Sequence, residues 1–244
     1  MNNFQKNKLI DHGFKIMGML FTFLGILILI ILIYNIVKVG YTRINWTFLT
    51  SLPSRKPESA GIYTAIIGTL DLMLLTVLFA IPVGVGAGIY LEEYAKKSRL
   101  SSLLEINISN LAGVPSIIYG LLGLGIFVRF FNFGGSILSG SLTLSLLILP
   151  IIIVATREAI KAVPHSLKEA SFALGASKWQ TIKDVVLPSS FGGILTGIIL
   201  SLSRAIGETA PLIVVGAMAY VPFVPQSIFD TFSVLPMQIF NWTT

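Results

Sequence analysis

Long apolar runs separated by short charged segments organise this chain. From Met17 to Val37 no charged residue or proline interrupts a predominantly apolar run of about 20 positions, the length a helix needs to cross a hydrocarbon core. It follows a basic start at Lys6, Lys8 and Lys15. A cleaved secretory signal has an apolar core of about 7–15 residues and a small-residue cleavage site. This run is longer and has no such site, so it predicts a retained first span. A second span is expected over Ile62 to Leu91, interrupted only by Asp71 and Pro82, and a third over about Ile106 to Phe130. The fourth runs from about Ile137 to Ala155 and the fifth from about Phe191 to Tyr220. Between them lie a polar stretch (Lys38 to Ala60), a charged connection (Glu92 to Glu105), a Gly-rich turn (Asn132 to Ser136) and the longest polar segment between spans, Thr156 to Ser190. A Pro-rich tail leads to Thr244.

Composition supports that reading. Of 244 residues, 54% are hydrophobic and 11% charged, where a soluble domain carries roughly 25% charged residues. So few charges cannot clothe a soluble protein of this size. The pattern predicts an all-α integral membrane protein, a polytopic helical bundle, and excludes a cytosolic enzyme, a disordered chain and a collagen-like fibre. There is no cysteine, hence no disulfide, thiolate nucleophile or thiolate metal site. His12 and His165 lie in charged, loop-like surroundings outside any HExxH pattern, and no metal site is expected.

The net charge of +6 fits nucleic acid or an anionic membrane face, but in a membrane protein the placement of the cations is the informative quantity, and no nucleic-acid partner is expected. With the N-terminus cytoplasmic, the inner segments hold Lys6, Lys8, Lys15, Lys96, Lys97, Arg99, Arg157, Lys161, Lys168, Lys178 and Lys183. The outer ones hold only Lys38, Arg43, Arg55, Lys56 and, at a helix end, Arg129. The positive-inside rule therefore puts the N-terminus and the 156–190 segment in the cytoplasm of a multi-pass cell-membrane protein. Trp46, Trp179 and Trp242 fall outside the spans, where interfacial anchors belong.

No GxxxxGK[ST] sequence is present, so the chain has no P-loop of its own, and no Ser–His–Asp arrangement is credible. The run Val83 to Gly88 (VGVGAG) resembles part of a nucleotide fingerprint but lies in an apolar helix, where small residues serve close helix packing. Within 156–190, Pro164 is placed to start a short helix with Leu167, Ala170, Ala173 and Leu174 as its apolar stripe. Gly175 is placed to stop it in a left-handed turn. A second helix with Trp179, Ile182, Val185 and Val186 on its apolar side is expected to end at Pro188. Such a helix–Gly–helix unit either offers an amphipathic knob to a partner or caps the bundle at the membrane surface.

The spacing Glu169-Ala170-Ser171, three residues, Gly175, nine residues, Val185-Val186-Leu187-Pro188 resembles the EAA signature of ABC-importer permeases, with Ser171 for the second Ala and Val185 for Ile. The resemblance implies the type I importer permease (MetI-like) fold. It also implies that Glu169, Ala170, Ser171, Gly175, Leu187 and Pro188 belong to the coupling loop that docks into an ATPase subunit.

Inside the fifth span, Arg204 lies about 20 Å along the helix from Phe191, near or past mid-membrane. An Arg at that depth costs about 2.5–3.5 kcal/mol on insertion scales, so it is expected to face an aqueous path or a partner charge. Glu208, four residues on, shares its face. The pair is either a self-neutralised structural link or an anion-attracting cation restrained by a carboxylate. Asp71 could act as a proton relay, a partner for Arg204 or a shallow interfacial residue.

The stretch Arg204 to Pro211 (RAIGETAP) resembles the phosphate-transporter branch of the family, the Pst permeases, and Leu235 to Trp242 (LPMQIFNW) resembles the PstA-type subunit. The similarity covers the chain from about Gly61 onward. It implies a phosphate path through Arg204 and Glu208, with residues 1–60 an anchor helix and external loop and 61–244 the permease domain. It further implies a PstC-type second permease, ATPase subunits holding ATP and Mg, an extracytoplasmic phosphate-binding protein and surrounding lipid as partners, with no cofactor in this chain. By that fold a sixth helix is expected beyond the present C-terminus. Charge and depth alone leave other oxyanions (sulfate or molybdate) open, as well as a proton-coupled secondary transporter and a non-transporting membrane subunit.

Overall fold

The structure, a computed structural model, describes residues 3–54, 56, 59–96 and 98–243. Arg55 and Lys97, which enter the charge asymmetry, and Thr244 lie outside them. All regular structure among the described residues is helical. Contacts divide the chain into two units, one up to Thr50 and one from Ser51.

The first unit is dominated by α1 (Asn3–Gly40). Its apolar stretch, Ile10–Arg43, has no buried position. A helix that is hydrophobic all round and covered by nothing in its own unit is a lipid-facing span. A tight turn over Tyr41–Arg43 leads to α2 (Trp46–Thr50). There the Asn45 Oδ1 accepts from the Phe48 N–H at 2.7 Å, satisfying one of the donors a helix start leaves open.

In the second unit, α3 (Tyr63–Ile89) runs on as a π-helical turn over Tyr90–Tyr94. The expected third span is not one helix. It consists of α4 (Arg99–Leu111) and α5 (Ser116–Gly123), the latter continued as a π-helix to Phe130, and the two arms bend by 103°. Pro115 explains the break, because the residue before a proline is driven out of the helical region. Across it the buried Tyr119 donates its hydroxyl to the Leu111 carbonyl at 2.8 Å, which also accepts from the Val114 N–H at 3.1 Å.

α6 (Ile137–Lys161) is the axis of the unit. It extends past Ala155, so the first residues of the expected polar segment are helical. Around it three apolar clusters follow one another: Leu72, Leu144, Leu212 and Phe232 at one end, Ala80, Ile148, Ile152 and Ala205 in the middle, Ile160, Val163 and Val186 at the other. Close approach is secured by small residues. A Cβ at Gly84 would meet Ile152, one at Gly88 would meet Thr156, and one at Gly197 would overlap the Ala155 methyl. The run over Val83 to Gly88 thus packs helix on helix.

After α7 (His165–Ala173), α8 (Lys178–Thr181), a π-turn (Ile182–Val186) and α9 (Leu187–Ile206) form one continuous helix. Pro188 therefore does not end a helix as expected. The wide π-turn before it absorbs the missing N–H and the ring, the usual cause of such a bulge.

The fifth span stops at Ile206 rather than Tyr220. Gly207 to Thr209 are non-helical, a six-residue α10 (Ala210–Val215) follows, and Gly216 at φ +111 terminates it in the left-handed region. Pro211 has no N–H with which to bridge the break. The segment beyond folds back on the start of α6, whose first N–H groups at Ile137 and Leu138 donate to the carbonyls of Asp230 and Ile228. The expected Pro-rich tail carries α11 (Leu235–Thr243). Among the described residues, four helices are long and apolar enough to cross a membrane, and five if the bent α4–α5 pair is one span rather than a re-entrant loop.

Candidate functional site

At one end of the α3–α6–α9 bundle stands the α7–α8 hairpin. α7 buries no residue; Leu167 and Phe172 are largely exposed and Leu174 is 89% exposed. The apolar stripe read from the sequence is thus real but uncovered. The turn closes as a Schellman motif, with the Gly175 N–H donating to Phe172 O at 2.9 Å and the Ala176 N–H to Ser171 O at 3.2 Å. Gly175 sits at φ +84, where an L-residue is strained. Ser177 and Gln180 then form a capping box on α8.

The structure brings Glu169, Ala170, Ser171 and Gly175 together on this hairpin. Glu169 is exposed, 3.0 Å from His165 Nδ1. The Ser171 hydroxyl lies 2.9 Å from that of Thr181 and ties the two arms. Together with Leu174, Gln180 and Asp184, Ser171 and Gly175 line an open hollow of about 370 Å³. Leu187 and Pro188 are not part of the turn. They lie in the continuous helix that carries the hairpin into the bundle, and of the second apolar side Ile182 and Val186 are buried while Trp179 is exposed.

Under the hairpin lies an ionic layer that the sequence reading passed over. Arg157, 8% exposed, reaches Glu105 on α4 at 2.8 Å and Glu92 at 3.4 Å. The adjacent Glu93 pairs with Lys168 on α7, and its carbonyl accepts from Lys178 Nζ, which also stands 4.7 Å above the Tyr94 ring. The sequence signal was present: two adjacent acids directly after an apolar helix, opposite a basic segment.

Towards the middle of the bundle, Arg204 and Glu208 are brought together as expected, but across a helix end. The Arg204 Nε lies 3.4 Å from Glu208 Oε1, their side chains 41% and 18% exposed. The guanidinium projects from the last turn of α9, where cations complement the helix dipole. Asp71 is elsewhere, half-buried at a hollow of about 260 Å³ with Pro225, Gln226 and Ser227, and Arg204 pairs with Glu208 instead.

Residues 80–240 match the family described as binding-protein-dependent transport system inner membrane component. The chain is 34% identical over 228 residues to a probable ABC transporter permease protein, YqgI, of Bacillus subtilis (strain 168), covering 89% of this chain and 78% of that relative. It is 39% identical over 175 residues to the phosphate transport system permease protein PstA 1 of Mycobacterium tuberculosis (strain ATCC 25618 / H37Rv), covering 71% of this chain and 56% of that protein. To the PstA protein of Yersinia pestis it is 36% identical over 211 residues, 86% of this chain and 70% of that one. It thus spans little more than half of the mycobacterial protein and a larger share of the others. Among solved structures, a chain of the MetNI methionine ABC transporter in an inward-facing form shares the fold at a TM-score of 0.53. It is 20% identical, with 60% of this chain and 71% of that chain covered.

Proposed function

We propose, from the premise that this chain belongs to the family of binding-protein-dependent transport system inner membrane components, that it is a permease subunit of an ATP-driven phosphate importer. The observation that carries this reading is Arg204. Its guanidinium is half-exposed at a helix break inside an apolar bundle, on a surface the chain itself leaves open. Its one carboxylate contact is long and runs through Nε alone. A tetrahedral oxyanion can bind the planar fork by two short charge-assisted bonds of roughly 2.7–2.9 Å and displace Glu208, which otherwise keeps the charge balanced. The relatives' names narrow the oxyanion to phosphate.

On this reading the open surface around Arg204 is half of the translocation path, completed by a second permease of the PstC type. The N-terminus and the α7–α8 hairpin are cytoplasmic, and an ATPase subunit, holding ATP and Mg, covers Leu174 and the hollow beside Gly175. A phosphate-binding protein delivers substrate at the opposite face. ATP binding moves the hairpin, and the bundle alternates between two states that differ in which side reaches Arg204.

The test is uptake of labelled phosphate by the assembled transporter, wild type against Arg204→Gln, with sulfate as competitor. Uptake is expected to fall by at least about tenfold, the loss of one charge-assisted contact, while the complex still assembles and sulfate does not compete. Undiminished uptake would make Arg204 a structural ion pair. Strong sulfate competition would replace phosphate by a broader oxyanion class.

A further inference from the structure

The coupling hairpin has its apolar anchors only at its base. α7 buries nothing, while Val163 before it and Ile182 and Val186 after α8 are buried. Beyond that base the hairpin is held by polar contacts: Ser171 with Thr181 between its arms, and a cluster on Glu93 below. The Glu93 carboxylate takes the Lys168 ammonium from α7 and its carbonyl takes the Lys178 ammonium from the first turn of α8. Side chains of Glu93 and Lys168 are only 12% and 16% exposed, well shielded beneath a helix otherwise open to water. Pairs so placed are screened little by salt. Lys178 adds a cation–π contact with Tyr94.

Glu93 is not on the hairpin's own connecting helices. It belongs to the π-turn that ends α3, a widened turn in which neighbouring carboxylates serve different partners. Glu92 fastens α3 to Arg157 of α6, which also holds Glu105 of α4. Glu93 fastens α3 to both arms of the hairpin. At its far end α3 meets the returning segment, where Thr69 Oγ1 accepts from the Leu235 N–H at 3.0 Å.

We infer that Glu93 is a positioning residue for energy coupling: through Lys168 and Lys178 it makes the hairpin and α3 one moving body, so that displacement of the hairpin is passed to α3 and the spans packed on it. This rests on the reading of the chain as an importer permease. It adds a route that bypasses the hairpin's covalent connections.

The experiment measures, in the assembled transporter, labelled phosphate uptake and ATP hydrolysis together, with co-purification of the ATPase. For Glu93→Gln the ATPase is expected to remain bound and to hydrolyse ATP, while phosphate moved per ATP falls by about tenfold, the size of a typical coupling free energy. The exchanged pair Glu93→Lys with Lys168→Glu restores most of that ratio. An unchanged ratio in Glu93→Gln, or a loss that the exchange does not restore, overturns the inference. Lys168→Met provides the same test should Glu93→Gln not assemble. A wild-type complex that moves no phosphate would strike at the substrate reading instead. The link is then read from the spin-label distance between Ser166→Cys and Val83→Cys, the chain having no native cysteine. Glu93→Gln should broaden that distribution, and an unchanged one overturns the inference.

Discussion

Arg157 and Arg204 are two arginines whose surroundings reverse what their positions along the chain imply. Arg157 falls in the expected loop segment and counts there as one more inner cation, yet it is buried between Glu92 and Glu105 with its Nε unpartnered. Arg204 lies in the middle of an apolar run, yet it is half-exposed. The difference arises because α6 continues past Ala155 and carries Arg157 inward, while α9 ends at Ile206 and leaves Arg204 at an edge. Replacing Arg157 by Met strands two carboxylates of which Glu105 is partly solvated, and should cost about 3 kcal/mol, the low end for a broken buried pair. Thermal unfolding of the detergent-purified protein checks this, with Glu105→Gln expected to cost clearly less. Arg204→Gln should leave the same unfolding curve nearly unmoved, since its pair is loose and open to solvent.

Elements were legible in the sequence where a local rule decides them. The hairpin turn is such a case, because Pro164 and Gly175 punctuate α7 and the left-handed geometry at Gly175 is what only glycine adopts without strain. Gly175→Leu should cost about 1–2 kcal/mol for the backbone alone. It should also tilt Leu174, so that membrane insertion stays intact while co-purification of an ATPase subunit is lost. Normal co-purification would separate the turn from docking. Legibility failed where proline was read as a stop. Pro188 is absorbed by a π-turn, much as Pro82 and Pro150, which the expected spans already ran through, lie within α3 and α6, since neighbouring helices re-satisfy the groups a proline frees. Pro115 and Pro211 do interrupt their spans. Local sequence does not separate these cases; the packing of adjacent helices does. The acids at Glu92 and Glu93 were visible in the sequence, but the partners of Glu93 were not, since they lie 75 and 85 positions further along the chain.

For the unit from Ser51 onward, the membrane class follows from composition and run length alone, and the observed helices agree; the expected four crossings are reached when the bent α4–α5 pair counts as one span. Orientation is an expectation from charge alone, and the chain's lack of cysteine makes it testable with one substitution. Ser166→Cys on α7 should react with an impermeant maleimide in inside-out vesicles and stay unlabelled in intact cells; labelling of intact cells would reverse the topology. Within the unit, α3 and α9 close onto side chains of α6 at Gly84, Gly88 and Gly197, leaving little room for sliding. In mechanical terms this is a stiff plate with creases. The plate cannot flex, so rotation must gather at residues 112–115 and 207–209, where the helices are interrupted. The second crease follows the turn that carries Arg204 and contains Glu208. On the proposed reading, a small turn there would widen or narrow the gap between guanidinium and carboxylate, so that the bend reorienting the bundle would also act as a valve on the charge of Arg204.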